Sequence, residues 1–586
     1  MKRVRMVCVA VVAMCVGLGF TVVDWEERLA RSIPLPEDVV QVESRHGVAA
    51  TLNEEATRAA IEVLESGGNA VDAATAAWFV LSVVSPNQTG LAGGGHIVFY
   101  EAATGQVYFI DAAQRAPMAS HPGMFLDDDG EPLPTHEIRA RGLAVGVPGA
   151  VRGWDVALKR WGTRYFDELL DPAIALAEGG WEVDRELSLR IHQTRDSLDA
   201  HAQELFVPEG RPLEPGDLLV QEGKARALRL IAEAGSEAFY QGEIASAIAR
   251  HVQGLGGVLT EEDLHRYNVT VDPPRWVRYR DYQVATHPNT MGGNTFAVLL
   301  GLLEPFELEQ YEPRSVERYH LILEATRLAS AESQAFFGGP EFMDHPWQAT
   351  LSEEFLEDRR SSIQMDSRLD EIEAGDAWAY QVGGPYRTRG HHPDYDERAD
   401  AGQIQDLLDE GTDHLTVVDR HGNVVAATTS LGVGWVGGHM VPEFGFMLNV
   451  RGAYFDSEPG GVHEVRPGKR PSRSMTPTLV FRDGEPVYSV GSPSPGPMQH
   501  AQVLLNMIEH GMDPAHAVAE PRVGAPGVWE YGVPDEVVEA LRELGHPMDE
   551  EWSDRGAVPV LRRVNDRWQG ASDPRRDGIA GAVGTR

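Results

Sequence analysis

GTDHLTVVDRHGNVVAATTS, residues Gly411 to Ser430, is the stretch on which the reading of this chain turns. Two runs rich in β-branched residues flank Arg420-His421-Gly422-Asn423, the composition of a hairpin turn between two strands. The first strand opens with Thr412, directly after a long acidic, polar segment. A Thr in that place suits one chemistry. If the chain is cut before Thr412, the hydroxyl becomes a nucleophile and the new α-amine, whose pKa lies near neutrality, becomes the adjacent base. The same hydroxyl can attack the Gly411 carbonyl to make that cut. On spacing alone, a Thr opening a strand is equally a plain β-former, and both readings stand at this point.

Upstream, residues 370–411 include RTRGHHPDYDERADAGQIQDLLDEG, with few apolar positions, and read as a mobile acidic linker. Downstream, PTLVFRDGEPVYSVGSP (Pro477 to Pro493) repeats the hairpin design around Arg482-Asp483-Gly484, and a helix is expected from Gln499 to His510. Near the N-terminal end, helices are expected over Glu55 to Leu64 and Val71 to Val84, then strands HIVFY and QVYFID joined by EAATG. Residues 150–270 are helix-rich, with DPAIALAEGG (Asp171 to Gly180) a short capped helix. Hairpins interleaved with helices imply an α/β layered body. No internal repeat at solenoid periods is present.

The chain has 586 residues, 42% hydrophobic and 24% charged, with 89 acidic against 51 basic side chains and a net charge of −38. Composition of that kind excludes wholesale disorder, and so negative a surface repels phosphate backbones, which excludes nucleic acid as a partner. Both cysteines, Cys8 and Cys15, lie at the N-terminus, so the rest of the chain holds no disulfide framework, thiolate metal site or Cys nucleophile. They sit beside or within an export-type segment: Lys2, Arg3 and Arg5, then a mostly apolar run from Met6 to Val23, ended by Asp24, Trp25, Glu26 and Glu27. With no small-x-small cleavage site in view, a cleaved signal and an uncleaved anchor through residues 6–23 both remain open. Either puts the body outside the cytoplasm.

Two other motifs read as bland. Gly93-Gly94-Gly95 and TMGGN (Thr290 to Asn294) lack the Lys of a P-loop, so no nucleotide site is expected. His391, His392, Asp394, Asp396 and Glu397 are metal-ligand types in a solvated polar run. No cofactor and no metal are expected.

Longer motifs carry a resemblance. GGNAVDAA (Gly67 to Ala74), GLAGGG (Gly90 to Gly95), AVGVPGAVRGW (Ala144 to Trp154), LLDPAIALAEGG (Leu169 to Gly180) and GGVLTEEDL (Gly256 to Leu264) resemble the large subunit of γ-glutamyltranspeptidases. TDHLTVVDRHGN (Thr412 to Asn423), GMDPAHAVAEPR (Gly511 to Arg522) and GASDPRRDG (Gly570 to Gly578) resemble the small subunit. The match runs in order from about Val48 to the C-terminus. It implies a four-layer αββα sandwich of the N-terminal nucleophile hydrolase type, cut autocatalytically into two subunits, with Thr412 as nucleophile.

Around the donor site the chain departs from the family. Where the family's R-E-x-A-P carries its carboxylate-gripping Arg, this chain has Ala113, with Arg115 two positions on. The T-x-N pair becomes Ser430 and Gly432. In the L-N-N-Q-M-D-D-F segment the ammonium-binding Gln and Asp become Arg451 and Tyr454. The S-S-M-S-P loop begins Arg473-Ser474, and the oxyanion turn G-S-P-G-G reads Gly491-Ser492-Pro493-Ser494-Pro495. Proline has no N–H, so one oxyanion donor is lost at Pro495 and Ser494 keeps the other. Exchanging an acidic partner for two Arg disfavours a zwitterionic head and favours a purely anionic one.

The sequence thus leads to these expectations: residues 1–26 a signal or anchor, 27–411 a large-subunit region, 412–586 a small-subunit region that stays associated with it as a heterodimer. The activity expected is that of an exported amidohydrolase or acyltransferase on a small-molecule amide or peptide. Thr412 and Ser430 would be catalytic, Ser494 the oxyanion donor, and Arg115, Arg451, Tyr454, Arg473 and Ser474 substrate-binding. An acylase on a non-glutamyl amide and a catalytically weak scaffold are the alternatives.

Overall fold

Alternation along single strands shows how the layers are built. In the strand Gly94–Glu101, Val98 and Tyr100 join one buried cluster while Ile97 and Phe99 join another. In Val424–Ser430, Val424 and Ala426 go with the first cluster and Val425 and Ala427 with the second. Period-two burial on both faces means a sheet covered on both sides. The computed structural model describes residues 39–287, 291–339, 341–382, 411–432, 435, 438–457, 459–493, 496–525, 527–548, 550–552 and 556–584.

Two seven-stranded antiparallel sheets face each other. The first runs Ala580–Ala582, Gly47–Thr51, Thr412–Asp419, Val424–Ser430, Gly94–Glu101, Gln106–Ala112, Thr270–Asp272. The second runs Val42–Ser44, Arg567–Ala571, Val560–Val564, Glu485–Val490, Thr478–Arg482, Tyr282–Thr286, Arg275–Tyr279. Between them lies a core that includes Val48, Val98, Phe109, Val418, Leu479, Phe481 and Leu561. Outside the first sheet pack helices such as Ala70–Val84 and Ala150–Trp161, and outside the second Met291–Leu303, Val316–Phe336 and Pro497–Glu509. The four layers are therefore helix, sheet, sheet, helix, as expected.

Local chemistry accounts for the elements. Asn69 and Asp72 form a capping box that starts Ala70–Val84, whose residues are all buried. The expected helices and strands are found with ends moved by one or two residues: Glu54–Glu65, Pro497–Glu509, Gly94–Glu101 and Gln106–Ala112.

The linker expected from residue 370 begins later. Buried Glu324 accepts from the Leu369 amide at 2.9 Å and buried Glu332 from the Gly375 amide at 3.0 Å, so residues 369–375 lie tied to the helix Val316–Phe336. Burial pushes the Glu332 carboxyl up to about 7 in spite of Arg359. Residues 383–410 of the expected linker, with its histidine cluster, lie outside the described residues, as do residues 1–38 with the export segment. Among the described residues no helix is long and apolar enough to cross a membrane.

Both sides of the Gly411–Thr412 junction contribute to both sheets. The strand Thr412–Asp419 pairs with Gly47–Thr51 on one edge and Val424–Ser430 on the other. Within the second sheet, Thr478–Arg482 pairs with Tyr282–Thr286. Cutting the junction would leave every one of these ladders in place.

Candidate active site

Register sets the centre of the site. Thr412 stands opposite Ser430 at the end of the hairpin, so both side chains leave the same face of the sheet, toward the sandwich interior. The Thr412 hydroxyl reaches Ser430 Oγ at 3.0 Å, and the Ser430 hydroxyl donates to the Gly411 carbonyl, the carbonyl of the peptide bond that precedes Thr412. Arg451 donates to Ser430 Oγ at 2.6 Å, and the Gly432 amide donates to the same oxygen at 3.0 Å. Thr412, Ser430 and Arg451 are fully buried.

Asn449 ties this cluster to two glycine-containing segments. Asn449 Nδ2 donates to the carbonyls of Ala92 and Gly146 at 2.9 and 2.7 Å, while its Oδ1 accepts from the Gly146 amide at 3.0 Å. The same Oδ1 accepts from the Arg451 amide at 3.3 Å, which fixes the start of the short helix Arg451–Tyr454. Within that helix the Arg451 guanidinium lies 4.7 Å from the centre of the Tyr454 ring, a cation–π contact. Gln114 completes the frame, its Nε2 donating to the Ser430 carbonyl at 2.8 Å.

On the helix side of the strand, the Thr412 amide donates to Gln88 Oε1 at 2.8 Å, and Gln88 Nε2 donates to Glu186. Arg576 donates to the Thr412 carbonyl at 3.0 Å and lies 3.5 Å from Asp413. Burial pushes Asp413 up to about 7 against the pull of Arg576, and pushes Asp184 up to about 8, with Glu186 adding to it. Arg576 is placed by an ion network of four wholly buried side chains. Asp573 meets Arg522 at 2.9 Å and Arg575 at 2.9 Å, and Glu530 meets both arginines. Two cations and two anions balance, so the desolvation of each is offset by its partners.

A second basic group lines the space between the sheets. Arg470 lies 2.7 Å from Asp111 and also meets Glu341, and Arg473 lies 3.7 Å from Asp111. Burial would raise the Asp111 carboxyl, but Arg470, His96 and Arg473 hold it well below the usual range. Burial also pushes Arg473 down to about 9, with Asp111 opposing and Arg470 and Arg451 adding to the fall. Arg470 and Arg473 thus share the Asp111 carboxylate, and Arg451 lies near enough to Arg473 to add to its fall.

The expected site residues distribute unevenly. Thr412, Ser430, Arg451 and Tyr454 come together. Arg473 is buried on Asp111 and not a surface group. Ser474 is buried behind it, its carbonyl accepting from Thr476 Oγ1 at 2.9 Å. Arg115 is half-buried and its guanidinium points to the Asn268 carbonyl at 3.5 Å. Ser494 and Pro495 lie outside the described residues. Beside them, Ser492 donates to the Gly496 carbonyl at 2.9 Å, and any β-carbon at Gly491 would collide with the His414 ring. Gln88, Gln114, Glu186 and Arg576 were missed. Arg576 lies inside GASDPRRDG and Gln88 two residues before GLAGGG, so each stood in or next to a motif without a chemical pattern of its own.

Comparison with known proteins agrees with this geometry. A family model described as Gamma-glutamyltranspeptidase matches residues 56–583. The glutathione hydrolase proenzyme of Bacillus subtilis (strain 168) is 38% identical over 546 residues, covering 92% of this chain and 91% of that protein. Acylase ACY 1 proenzyme of Pseudomonas sp. (strain SE83) is 31% identical over 516 residues, covering 85% and 87%. Among solved structures, the cephalosporin acylase from Bacillus halodurans superposes with a TM-score of 0.82 at 26% identity, covering 95% of this chain and 99% of that one.

Proposed function

The chain belongs to the γ-glutamyltranspeptidase family, and from that premise we propose a self-maturing threonine amidohydrolase or acyltransferase whose donor acyl group carries a carboxylate and no ammonium. The observation that carries the reading is the Ser430 hydroxyl, which bridges the Thr412 hydroxyl and the Gly411 carbonyl.

In maturation Thr412 Oγ1 attacks the Gly411 carbonyl carbon. Negative charge gathers on the Gly411 oxygen, toward which Ser430 already donates. Arg451 polarises that donor, since a hydroxyl that accepts from a cation gives up its proton more readily. Collapse breaks the Gly411–Thr412 C–N bond, the Thr412 nitrogen takes the proton, and water hydrolyses the resulting ester. The freed α-amine, next to Gln88 Oε1, then serves as base for the hydroxyl in attack on substrate. An acyl-enzyme forms on Thr412 and passes to water or an amine. Ladders shared across the junction favour fragments that remain together.

Donor choice follows from charge. Tyr454 and Arg451 stand where the family holds an ammonium, and a guanidinium repels one. With Arg470 and Arg473 both on Asp111 and Arg451 close to Arg473, a carboxylate entering this basic space gains charge-assisted partners. A non-glutamyl acylase reading is thereby favoured over glutathione turnover. The basic and then apolar N-terminus supports an exported enzyme. The test is to compare an anilide of a dicarboxylic acid with γ-glutamyl anilide on purified, processed protein, with Thr412→Ala as the blank. Equal or better turnover of the γ-glutamyl compound overturns the donor assignment, and absence of any turnover by processed protein overturns the enzyme reading.

A further inference from the structure

Away from the nucleophile, Asp199, His251 and His439 bring one ligand atom each to within 4.8 Å of one another. Their arrangement is built from backbone outward. Asp199 caps the helix Ala200–Phe206, its Oδ1 accepting from the Ala202 amide at 2.8 Å, and its Oδ2 accepts from the Met440 amide at 2.8 Å. His439 Nε2 meets the Arg139 carbonyl at 3.2 Å. A carbonyl can only accept, so Nε2 donates its N–H there. Nδ1 of His439, which has no hydrogen-bond partner among the described residues, lies 3.7 Å from Asp199 Oδ2. That separation is too wide for a direct hydrogen bond and is one that a cation between the two atoms would bridge. The enclosed Nε2 of His251 has no hydrogen-bond partner among the described residues.

We propose that Asp199, His251 and His439 hold a divalent first-row transition ion, zinc in the first place. Two imidazoles and one carboxylate are a zinc donor set, whereas calcium and magnesium prefer oxygen throughout. The supports around the ligands are those a metal site uses: the ring N–H of His439 is fixed by a carbonyl and Asp199 by two amides, so neither can swing away. Ligand atoms about 2.0–2.2 Å from zinc lie closer together than this spread, so the side chains draw in by roughly an ångström on binding. His439 and Asp199 are 13% and 17% exposed, enough for an ion to enter and for water to take a fourth position.

The other trio of ligand types, His96, Asp111 and His287, fails the same test. Arg470 and Arg473 already occupy its carboxylate, and two guanidiniums repel an incoming dication.

Asp199 and His251 precede the Gly411–Thr412 bond and His439 follows it. Ion binding does not depend on the cut. Its role as a clamp between two fragments does rest on the maturation proposed above.

Tag-free full-length protein, stripped with chelator, is titrated with zinc by calorimetry and crystallised with zinc for an anomalous map at the zinc edge. One ion per chain is expected, with its peak between Asp199, His251 and His439. His251→Gln and His439→Gln should each weaken binding on the order of 100-fold, as loss of one of three ligands requires. The uncut Thr412→Ala variant should bind as the wild type does, which separates this result from the fate of maturation. Absence of the peak, a peak at His96 and His287 instead, or unchanged affinity in both histidine variants overturns the proposal. Should a variant misfold, the wild-type map decides alone.

Discussion

Arg451 donates to Ser430 Oγ from 2.6 Å, while Thr412 Oγ1 and the Gly432 amide approach the same oxygen at 3.0 Å each. One hydroxyl oxygen has two lone pairs, so three donors cannot all be fully bonded. The guanidinium is charged and the amide is fixed by backbone. The Thr412 hydroxyl, neutral and free to rotate, is the donor most easily displaced. Arg451→Gln, which removes a charge-assisted bond of about 1.5–3 kcal/mol, should slow processing by roughly 10- to 100-fold. The half-time of two-band appearance on a denaturing gel measures it.

Wild-type protein should yield a C-terminal fragment that begins at Thr412, identified by its intact mass and N-terminal residue. Thr412→Ala should stay a single chain. Ser430→Ala should process at least tenfold more slowly, because the Gly411 oxygen loses the hydroxyl donated to it. An uncut but folded wild type would contradict the maturation scheme.

Restoring an acidic partner should redirect the donor site. Tyr454→Asp together with Arg451→Gln is expected to raise kcat/KM for γ-glutamyl anilide and to lower it for an anionic acyl anilide, each by about tenfold or more. A drop on both substrates would mean that Arg451 is needed for chemistry and not for choice of donor.

Asp184 gives a pH signature. Its folded pKa, raised to about 8 by burial with Glu186 adding to it, lies far above its unfolded value. The contribution is fully present below about pH 4 and is lost as pH rises through 8, because the folded state must then hold a buried charge. Asp184→Asn keeps the cap on the Leu187 amide and removes that charge. Its advantage over wild type in urea should therefore grow from pH 4 to pH 8, to about 2–4 kcal/mol. An advantage independent of pH would show that Asp184 does not titrate in this window.

The network around Asp573 should be intolerant of single changes. Asp573→Asn leaves Arg522 and Arg575 sharing Glu530, and is expected to cost about 3–5 kcal/mol in urea unfolding. It should also delay processing, since the loop that presents Arg576 to the Thr412 carbonyl begins there.

Much of this was legible in the chain. Both hairpins announced themselves through turn residues between β-branched runs, because that information is local. Thr412 and Ser430 could be named from motif, and the Arg451–Tyr454 segment could be aligned well enough to see its charge reversed. Residues 369–375 could not be read as ordered, since their order comes from Glu324 and Glu332 on a helix far upstream. Gln88 and Arg576 escaped for a related reason: they meet Thr412 only after two sheets and a buried ion network have set their positions. Arg473 could be read as a substrate-binding cation, but its burial on Asp111 comes from sheet packing that no local pattern encodes.

Gly432 has a consequence for how this pocket can change over generations. Its φ of +110° is one that side-chain-bearing residues rarely adopt, and a β-carbon there would lie 2.9 Å from Val450 Cγ2. The Asn of the family's T-x-N pattern does not fit this slot as the turn stands. Val450 has to shrink and the turn has to relax first, and each of those steps by itself brings no gain in donor binding. One methyl group and one backbone angle together thus keep a side chain out of this slot.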